Sequence, residues 1–269
     1  MSGLIITLKD VVYDTGKKYY MDKSVNKGTR SLFDMAETTT GGGKDLSAGA
    51  VINDLTYNAN TGAFQLAKTF DSAKKGMVYS GVKNDGFDLD ANSCMKVSDK
   101  HWMFTSWLKI NLAGTVSSFN NQILHFSTAP TNGANTALLS LVPTLNSAGT
   151  PTTIELAVRG KNYVLSSQLL PLFDGARHQF AVECSLNADG TSQTVKVYID
   201  KVLVYSKTAA AAETAPGEPT NRRIGTTNSL PLAWNGLLYR VRVDDLSTSG
   251  VTADDVLSAD YNLCSSRFS

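Results

Sequence analysis

The chain has 269 residues, 42% of them hydrophobic, and a formal net charge of +1. This composition excludes wholesale disorder, because it supplies enough apolar side chains for an ordinary core. It also gives no net field that would attract nucleic acid, and the basic residues are scattered along the chain. We therefore expect no nucleic-acid partner, and no membrane insertion either, since no apolar run is long enough to span a bilayer.

The first residues and the cysteines indicate where the chain is made. Residues 1–10 lack the basic and apolar regions of a secretory signal. Cys94, Cys184 and Cys264 are odd in number and widely spaced, which excludes a disulfide framework and a Cys-x-x-Cys metal site. We expect a buried, unreactive thiol at Cys184 and synthesis in a reducing cytosol.

Residues 1–54 carry the weakest pattern, and two interpretations of them stay open. Leu4–Leu8 and Val11–Met21 have the composition of strands, whereas the glycines at 41–43 predict a loop. The region is either an N-terminal arm or the source of the first strands of one continuous sandwich. We divide the chain into an arm, with any first strands, over residues 1–54 and a single sandwich domain over residues 55–269.

From residue 55 onward, short stretches of alternating or apolar residues recur at regular spacing, separated by turns rich in Asn, Asp and Gly. The predicted strands are Ala63–Lys68, Gly86–Leu89, Met95–Val97, Met103–Leu112, Gln122–Ser127, Ala137–Val142, Thr153–Gly160, Tyr163–Ser166, His178–Leu186, Thr194–Asp200, Val202–Lys207 and Leu237–Asp244. The connections are too short for crossover helices, so the strands pair antiparallel. The pattern predicts an all-β sandwich of two sheets, with a long exposed loop over Ala209–Thr220.

The segment Phe173–Asp200 has the strictest alternation in the chain. His178, Phe180, Val182 and Cys184 share one face of a strand, whereas Glu183 lies on the other. A turn then leads into a second alternating strand. The next connection, Asp200-Lys201, predicts a two-residue hairpin turn, although Lys201 occupies a position that glycine suits better.

One helix is predicted, close to the end of the chain. Thr252 and Asp255 have the spacing of a capping box, and Asp254 complements the positive end of the helix dipole. Val256, Leu257 and Tyr261 then form a narrow apolar stripe. We expect a helix of two or three turns that lies on the edge of the sandwich.

In these features the chain resembles the laminin-G-like, concanavalin-A-like jelly-roll superfamily of lectin and glucanase domains. The matching segments, in order, are Phe104–Lys109, Asp174–Val182, Val197–Val204, Arg223–Gly225, Trp234–Val243 and Val251–Leu257. The resemblance covers roughly residues 55–263 and implies an antiparallel jelly-roll β-sandwich with a short C-terminal helix. It departs from the family at Lys201, where the usual turn has glycine.

The inventory of acidic residues argues against an enzyme of this fold. Retaining glycosidases need two carboxylates about 5 Å apart, and enzymes of this family carry them on a Glu-x-Asp-x-Glu strand. No two glutamates of this chain have that spacing. Asp88 and Asp90 share a strand face without a third partner, so we interpret them as a solvated edge. We assign no catalytic residue and no cofactor.

Metal ligands and nucleophiles are equally weakly indicated. Asp88, Asp90 and Asn92, or Asp244 and Asp245, could contribute to a calcium site, but turn-forming and capping roles explain them better. We therefore predict no metal site.

The histidines His101, His125 and His178 lack zinc-site spacing. No Gly-x-Ser-x-Gly elbow supports a catalytic triad that includes any of them. We expect His178 to be a satisfied histidine at the edge of the core.

Aromatic side chains are the usual platforms for sugar rings. Trp102, Trp107 and Trp234 are candidates, but the strand motifs around Trp107 and Trp234 favour packing in the core. Tyr163 follows a turn and is the better surface candidate. The residues that would bind a glycan stay unknown at this point.

The resemblance implies a non-enzymatic module, as found in bacteriophage virion proteins of the tail, baseplate, fibre or capsid. The expected partners are other virion proteins in a multi-copy assembly, with a host cell-surface glycan as an additional candidate. The expected location is the virion, assembled in the host cytoplasm. The alternatives are a stand-alone carbohydrate-binding lectin module and, third, a glycoside hydrolase.

Overall fold

The computed structural model describes residues 22–56, 58–111, 121–129, 134–146, 148–225, 232–248 and 250–268. The strands in this part of the chain are β1 (Thr29–Asp34), β2 (Val51–Asn53), β3 (Thr61–Phe64), β4 (Phe70–Asp71), β5 (Gly76–Ser80), β6 (Gly86–Leu89), β7 (His101–Asn111), β8 (Asn121–Gln122), β9 (Leu124–Ser127), β10 (Ala137–Leu145), β11 (Pro151–Val158), β12 (Lys161–Val164), β13 (Arg177–Leu186), β14 (Ser192–Ile199), β15 (Val202–Ala210), β16 (Asn221–Gly225), β17 (Leu232–Ala233) and β18 (Asn235–Asp245). The helices are α1 (Ser166–Leu169) and α2 (Ala253–Cys264), with 3-10 turns at Thr38–Thr40, Ala134–Thr136 and Leu170–Phe173.

Two antiparallel sheets face each other across one core. Sheet I has the order β15-β14-β13-β7-β18-β5-β4, with β1 also paired to β18, and sheet II has the order β12-β11-β10-β9-β16-β6-β3-β2. The strands β8 and β17 form a separate parallel pair. The predicted all-β sandwich with a short C-terminal helix is confirmed. None of the helices that the structure describes is long and apolar enough to cross a membrane.

The alternation along β13 gives the two faces of sheet I. Phe180, Val182 and Cys184 lie in the core between the sheets, as predicted, while Ala181 packs on the opposite face. The following hairpin turn also forms where the sequence places it. Asp200 and Lys201 have φ angles of 51° and 68°, which are the left-handed values of a type I′ turn. The Lys201 ammonium lies 4.6 Å from the centre of the Tyr261 ring, a contact that glycine would not provide.

Both sheets recruit strands from the first 54 residues. β1 pairs with β18 in sheet I, and β2 pairs with β3 in sheet II. β1 and β2 are first strands of the sandwich, which the sequence analysis left open as one interpretation of residues 1–54. The predicted strands at Leu4–Leu8 and Val11–Met21, like Leu112, lie outside the described residues. A separate arm over residues 1–54 stays a prediction.

Three stretches differ from the predicted pattern. Met95–Val97 is not a strand, because the turn around it is held by side chains, among them the Asp99 carboxylate that accepts from the Lys96 N–H at 2.6 Å. Gly76–Ser80 is a strand that the sequence analysis did not identify. The predicted loop at Ala209–Thr220 begins later, because β15 continues to Ala210.

Helix α2 begins at the predicted capping box. The Thr252 hydroxyl accepts from the Asp255 N–H, and the Asp255 carboxylate accepts from the Thr252 N–H, both at 3.2 Å. The prediction that α2 lies on the edge of the sandwich is wrong. Val256 and Leu257 pack on the outer face of sheet I, because the apolar stripe of α2 meets apolar side chains there.

A buried ionic network, which we call the Arg240 network, occupies another part of this outer face. The Arg240 guanidinium donates to the carboxylates of Asp22 (2.9 Å), Asp34 (3.0 Å) and Asp260 (2.8 Å). These partners come from the segment before β1, from β1 itself and from α2. The network therefore ties both ends of the described chain to the middle of sheet I, and it leaves this part of the outer face closed to ligands.

Candidate functional site

A polar cleft of about 410 Å³ opens at one end of the sandwich. Strand pairing explains why distant segments meet there: β1 begins where β18 ends, and β3 begins where β6 ends. The lining residues are Lys27, Gly28, Thr29, Arg30, Asn58, Asn60, Asn92, Asp245 and Thr248. We call this site the end cleft.

Arg30 is the most constrained cation of the end cleft. Its guanidinium donates to the Cys94 carbonyl at 2.7 Å and to the Asp99 carboxylate at 2.9 Å. Burial opposes the charge, but the hydrogen bond and charge of Asp99 outweigh burial, so the pKa of Arg30 is raised. A second carboxylate, that of Asp245, lies 3.6 Å away. Arg30 is therefore a fixed positive charge with its own counter-ions.

Two asparagines of the β2–β3 connection are oriented by the backbone of β1. The side-chain amides of Asn58 and Asn60 donate to the Arg30 carbonyl at 2.8 Å and 2.9 Å. Asn60 is buried and Asn58 is exposed. Because one carbonyl holds both amide groups, the two side chains form a fixed wall of the cleft.

The remaining walls are turns held by short-range hydrogen bonds. Asp90 accepts from the Asn92 N–H at 2.9 Å, which fixes the turn that presents the exposed Asn92 side chain. Gly28 lies directly against the end of β18, since a Cβ at this position would be 2.5 Å from the Asp245 carbonyl oxygen. Glycine at 28 therefore allows the segment with Lys27 to close the cleft beside Asp245.

The chemistry of the end cleft is that of hydrogen bonding. Its exposed side chains are those of Lys27, Asn58, Asn92 and Thr248, which together offer an ammonium, two amides and a hydroxyl. No aromatic side chain is among the described residues that line it. The cleft therefore suits a ligand rich in hydroxyl groups more than a flat apolar one.

The carboxylates considered in the sequence have structural partners. Asp88 lies on the outer face of sheet II and forms an ion pair with Arg223, with one contact at 2.8 Å. Asp90 accepts from the Ser93 N–H at 2.8 Å as well as from Asn92. Burial opposes ionisation of Asp90, but the hydrogen bonds from Thr61, Ser93 and Asn92 lower its pKa. Asp88 and Asp90 are thus an ion-pair residue and a turn residue.

The two calcium alternatives are not assembled. Asp244 is buried and paired with Arg242 at 2.7 Å, while Asp245 faces the end cleft. Asn92 faces the same cleft but Asp88 does not. The described residues include no group of three His, Cys, Asp or Glu side chains that could hold a metal ion.

The histidines occupy three unrelated sites. His101 contacts Glu183 at 2.9 Å, and the Tyr198 hydroxyl donates to the same carboxylate at 2.7 Å. Glu183, which the alternation pattern places on the face opposite His178, is therefore partnered. His125 is buried beside Gln122, and burial lowers its pKa.

His178 links the loop before β13 to the hairpin turn. It contacts Asp200 at 2.7 Å and Asp174 at 3.1 Å. This is the satisfied histidine at the core edge that the sequence predicts.

The aromatic candidates are all buried. Trp102 and Trp234 lie in the core between the sheets, and Trp234 stacks on Tyr79 with ring centres 4.4 Å apart. Trp107 is buried on the other side of sheet I, under α2, and its indole N–H donates to Asp260 at 2.6 Å. Tyr163 is only 5% exposed, so the expectation of a surface platform there is wrong.

Sequence reasoning did not find most of the end cleft. Asn92 and Asp245 were considered as calcium ligands, but Lys27, Arg30 and Asn58 were not considered at all. The available signal was the concentration of asparagine around residue 58, which is typical of a turn and gives no distance to the start of β1.

Comparison with known proteins gives the fold and no family. No family model matches the chain, and no curated protein matches it in sequence. Among solved structures, a Trypanosoma rangeli sialidase matches with a TM-score of 0.60 at 12% identity, over 91% of this chain and 34% of that chain. The chain thus spans about a third of the sialidase.

Two further solved structures share the architecture. Domain 4 of a GH43 extracellular arabinanase from Geobacillus stearothermophilus, in complex with arabinotriose, matches at a TM-score of 0.51 and 14% identity, over 86% of this chain and 97% of that chain. The binding domain of botulinum neurotoxin serotype D matches at a TM-score of 0.55 and 10% identity, over 89% and 51%. At these identities the likeness shows a shared β-sandwich fold.

Proposed function

We propose that the chain is a non-enzymatic carbohydrate-binding module and that the end cleft holds the saccharide. The observation that carries the proposal is a cleft walled by oriented asparagine amides, with lysine, threonine and aspartate at its rim. Sugar hydroxyls both donate and accept, so they match this mixture of amide, hydroxyl and carboxylate groups. The complex of the arabinanase domain with arabinotriose suggests a short oligosaccharide as the class of ligand.

The second part of the proposal concerns the assembly to which the module belongs. We propose a bacteriophage virion, in which the module contacts other virion proteins and presents the end cleft to glycans of the host surface. Its support is the sequence resemblance to modules that are found in bacteriophage virion proteins. Genes for tail or capsid proteins on either side of the coding sequence would be the expected finding, and metabolic genes there would count against it.

The binding proposal is tested by a panel of oligosaccharides and polysaccharides, followed by calorimetric titration of any ligand found. The double variant Lys27→Ala, Asn92→Ala removes two exposed side chains of the end cleft and leaves the strands intact. We expect affinity to fall at least about 10-fold, which corresponds to about 1.4 kcal/mol.

The matched control is Asn162→Ala, an exposed asparagine on β12 at the far edge of sheet II. It should bind like the unsubstituted protein, and all variants should keep their melting temperature. Absence of binding across the panel would contradict the proposal, and so would equal binding by the double variant. Release of reducing sugar during long incubation would contradict its non-enzymatic part.

A further inference from the structure

A lysine and an aspartate are buried against each other where the chain crosses between the two sheets. Lys68 lies in the segment that leads from β3 of sheet II to β4 of sheet I, and Asp85 lies in the segment that leads from β5 of sheet I back to β6 of sheet II. The Lys68 ammonium forms a direct ion pair with the Asp85 carboxylate, and the two side chains are only 2% and 1% exposed. Neither residue is among the described residues that line the end cleft, so carbohydrate binding gives this pair no role.

Two aromatic rings face the Lys68 ammonium. Its Nζ lies 3.9 Å from the centre of the Tyr79 ring and 5.6 Å from the centre of the Phe64 ring, and both rings belong to the core between the sheets. Nζ also donates to the Val78 carbonyl at 3.2 Å. An ion pair in such surroundings has lost the solvation of both charges, which favours a reaction that leaves a neutral product.

The second carboxylate oxygen of Asp85 is held by two donors. Oδ2 accepts from the Ser80 N–H at 2.9 Å and from the Ser80 hydroxyl at 3.3 Å. These donors stabilise negative charge that develops on Oδ2 when a nucleophile adds to the carboxyl carbon. Oδ1, which faces Lys68, is then the oxygen that departs.

We propose that Lys68 and Asp85 react to form an intramolecular isopeptide bond. The ammonium passes one proton to Oδ1, and the free amine adds to the Asp85 carboxyl carbon. A second proton moves from the nitrogen to Oδ1, which leaves as water, so that one amide joins the two side chains. An ammonium and a carboxylate are converted to an amide and water, and the reaction therefore needs no oxidant or other co-reactant.

Burial and a fixed position both promote this reaction. Burial lowers the pKa of Lys68 to about 7, so the free amine that attacks is accessible near neutral pH. The contact between amine and carboxyl replaces an encounter in solution by an intramolecular step, and the effective molarity of well-oriented groups reaches about 10⁵ M or more. The folded chain thus supplies both the nucleophile and its position.

The bond fastens the two crossing segments to each other and so pins sheet I to sheet II. A covalent link of this kind restricts the unfolded chain and stabilises the fold, as a disulfide does. An amide, unlike a disulfide, does not depend on the redox state of the surroundings. This link is separate from the proposed carbohydrate binding, because it lies in the core and not in the end cleft.

The test is the mass of the denatured full chain, followed by a tryptic map. We expect the unsubstituted protein to be lighter than its sequence by the mass of one water molecule. Trypsin should fail to cut after Lys68, and tandem mass spectrometry should find residues 45–74 joined to residues 84–96 through Lys68 and Asp85. Lys68→Arg and Asp85→Ala should each show the full mass. The matched control is Lys83→Arg, which changes an exposed lysine nearby and should keep the loss of water.

A chain of full mass, with Lys68 cleaved and residues 84–96 released as an ordinary peptide, would overturn the inference. A loss of water confined to residues 84–96 would also overturn it, because Asp85 precedes Gly86 and such a pair can lose water by closing on its own backbone. The same holds for a loss of water that persists in Lys68→Arg, since another group would then be the nucleophile. The masses of the unsubstituted chain stay decisive even if a variant fails to fold, and none of these outcomes depends on glycan binding.

Discussion

Arg240 shows how a single charged side chain can be kept inside a β-sandwich. The residue is 1% exposed, and burial by itself disfavours the charged form of the guanidinium. Burial opposes ionisation, yet Asp260 and Asp22 hold the pKa of Arg240 well above its ordinary range. The alternation of β18 predicts that Arg240 faces away from the core. It could not predict that a helix and an N-terminal segment cover this face, because both come from elsewhere in the chain.

Asp260→Asn tests the Arg240 network at the level of one residue. The Asp260 carboxylate accepts from Arg240 at 2.8 Å, from the Trp107 indole at 2.6 Å and from Gln179 at 2.9 Å. An amide has only one acceptor oxygen, so one of its N–H groups must face another donor. We expect the free energy of unfolding to fall by about 3 kcal/mol, measured by urea denaturation.

The matched control for this change is Asp254→Asn, in the first turn of the same helix. Asp254 is exposed, so Asp254→Asn should lower the free energy of unfolding by less than about 1 kcal/mol, through its interaction with the helix dipole. Equal losses from the two variants would contradict a special role for Asp260.

At the level of elements, His178 couples the hairpin turn to the loop before β13. The hydrogen bond to Asp200 is the largest cause that raises the pKa of His178 above its ordinary value of 6.5, and Asp174 adds to it against the effect of burial. Asp200 also accepts from the Gln179 N–H at 2.9 Å. His178 therefore helps to fix the hairpin turn to strand β13.

The raised pKa makes the stability of this element depend on pH. Because the folded state holds the proton on His178 more tightly than the unfolded chain, the stabilising contribution is complete below about pH 6.5. It is lost as the pH rises through the folded-state pKa. The difference in unfolding free energy between the unsubstituted protein and His178→Gln should therefore shrink from pH 5.5 to pH 8.5 in urea titrations. A difference that is constant or grows over this range would contradict the assignment.

The elements differ in how far sequence alone could predict them. Strand β13 and helix α2 were predicted because strict alternation and a capping box are local signals. Gly76–Ser80, with Met77 and Tyr79 inward, was missed because it lacks a turn signal such as the Asn84-Asp85 pair that precedes Gly86–Leu89. The family motif predicted that Trp107 packs between the sheets, but the residue lies under α2. The prediction failed because nothing in the local sequence of a strand indicates which of two covered faces an aromatic side chain occupies.

At the scale of the whole molecule, the end cleft depends on topology. Its walls come from four segments that are far apart in sequence, and they meet because β1 pairs with β18 and β3 pairs with β6. A sequence pattern predicts that such segments are turns, but it carries no distance between them. The same limitation explains why Asn58 and Asn92 were not recognised as neighbours, although each was readable as a turn residue.

The most direct test of the central claim is to map the bound saccharide by amide chemical shifts. The isotope-labelled full chain would be titrated with an oligosaccharide found in the binding screen. The account predicts that the largest shift changes fall on residues 27–30, 58–60, 92 and 245–248, with no change around Asn162. Changes centred on the outer face of sheet II, around Asp88 and Arg223, would contradict it.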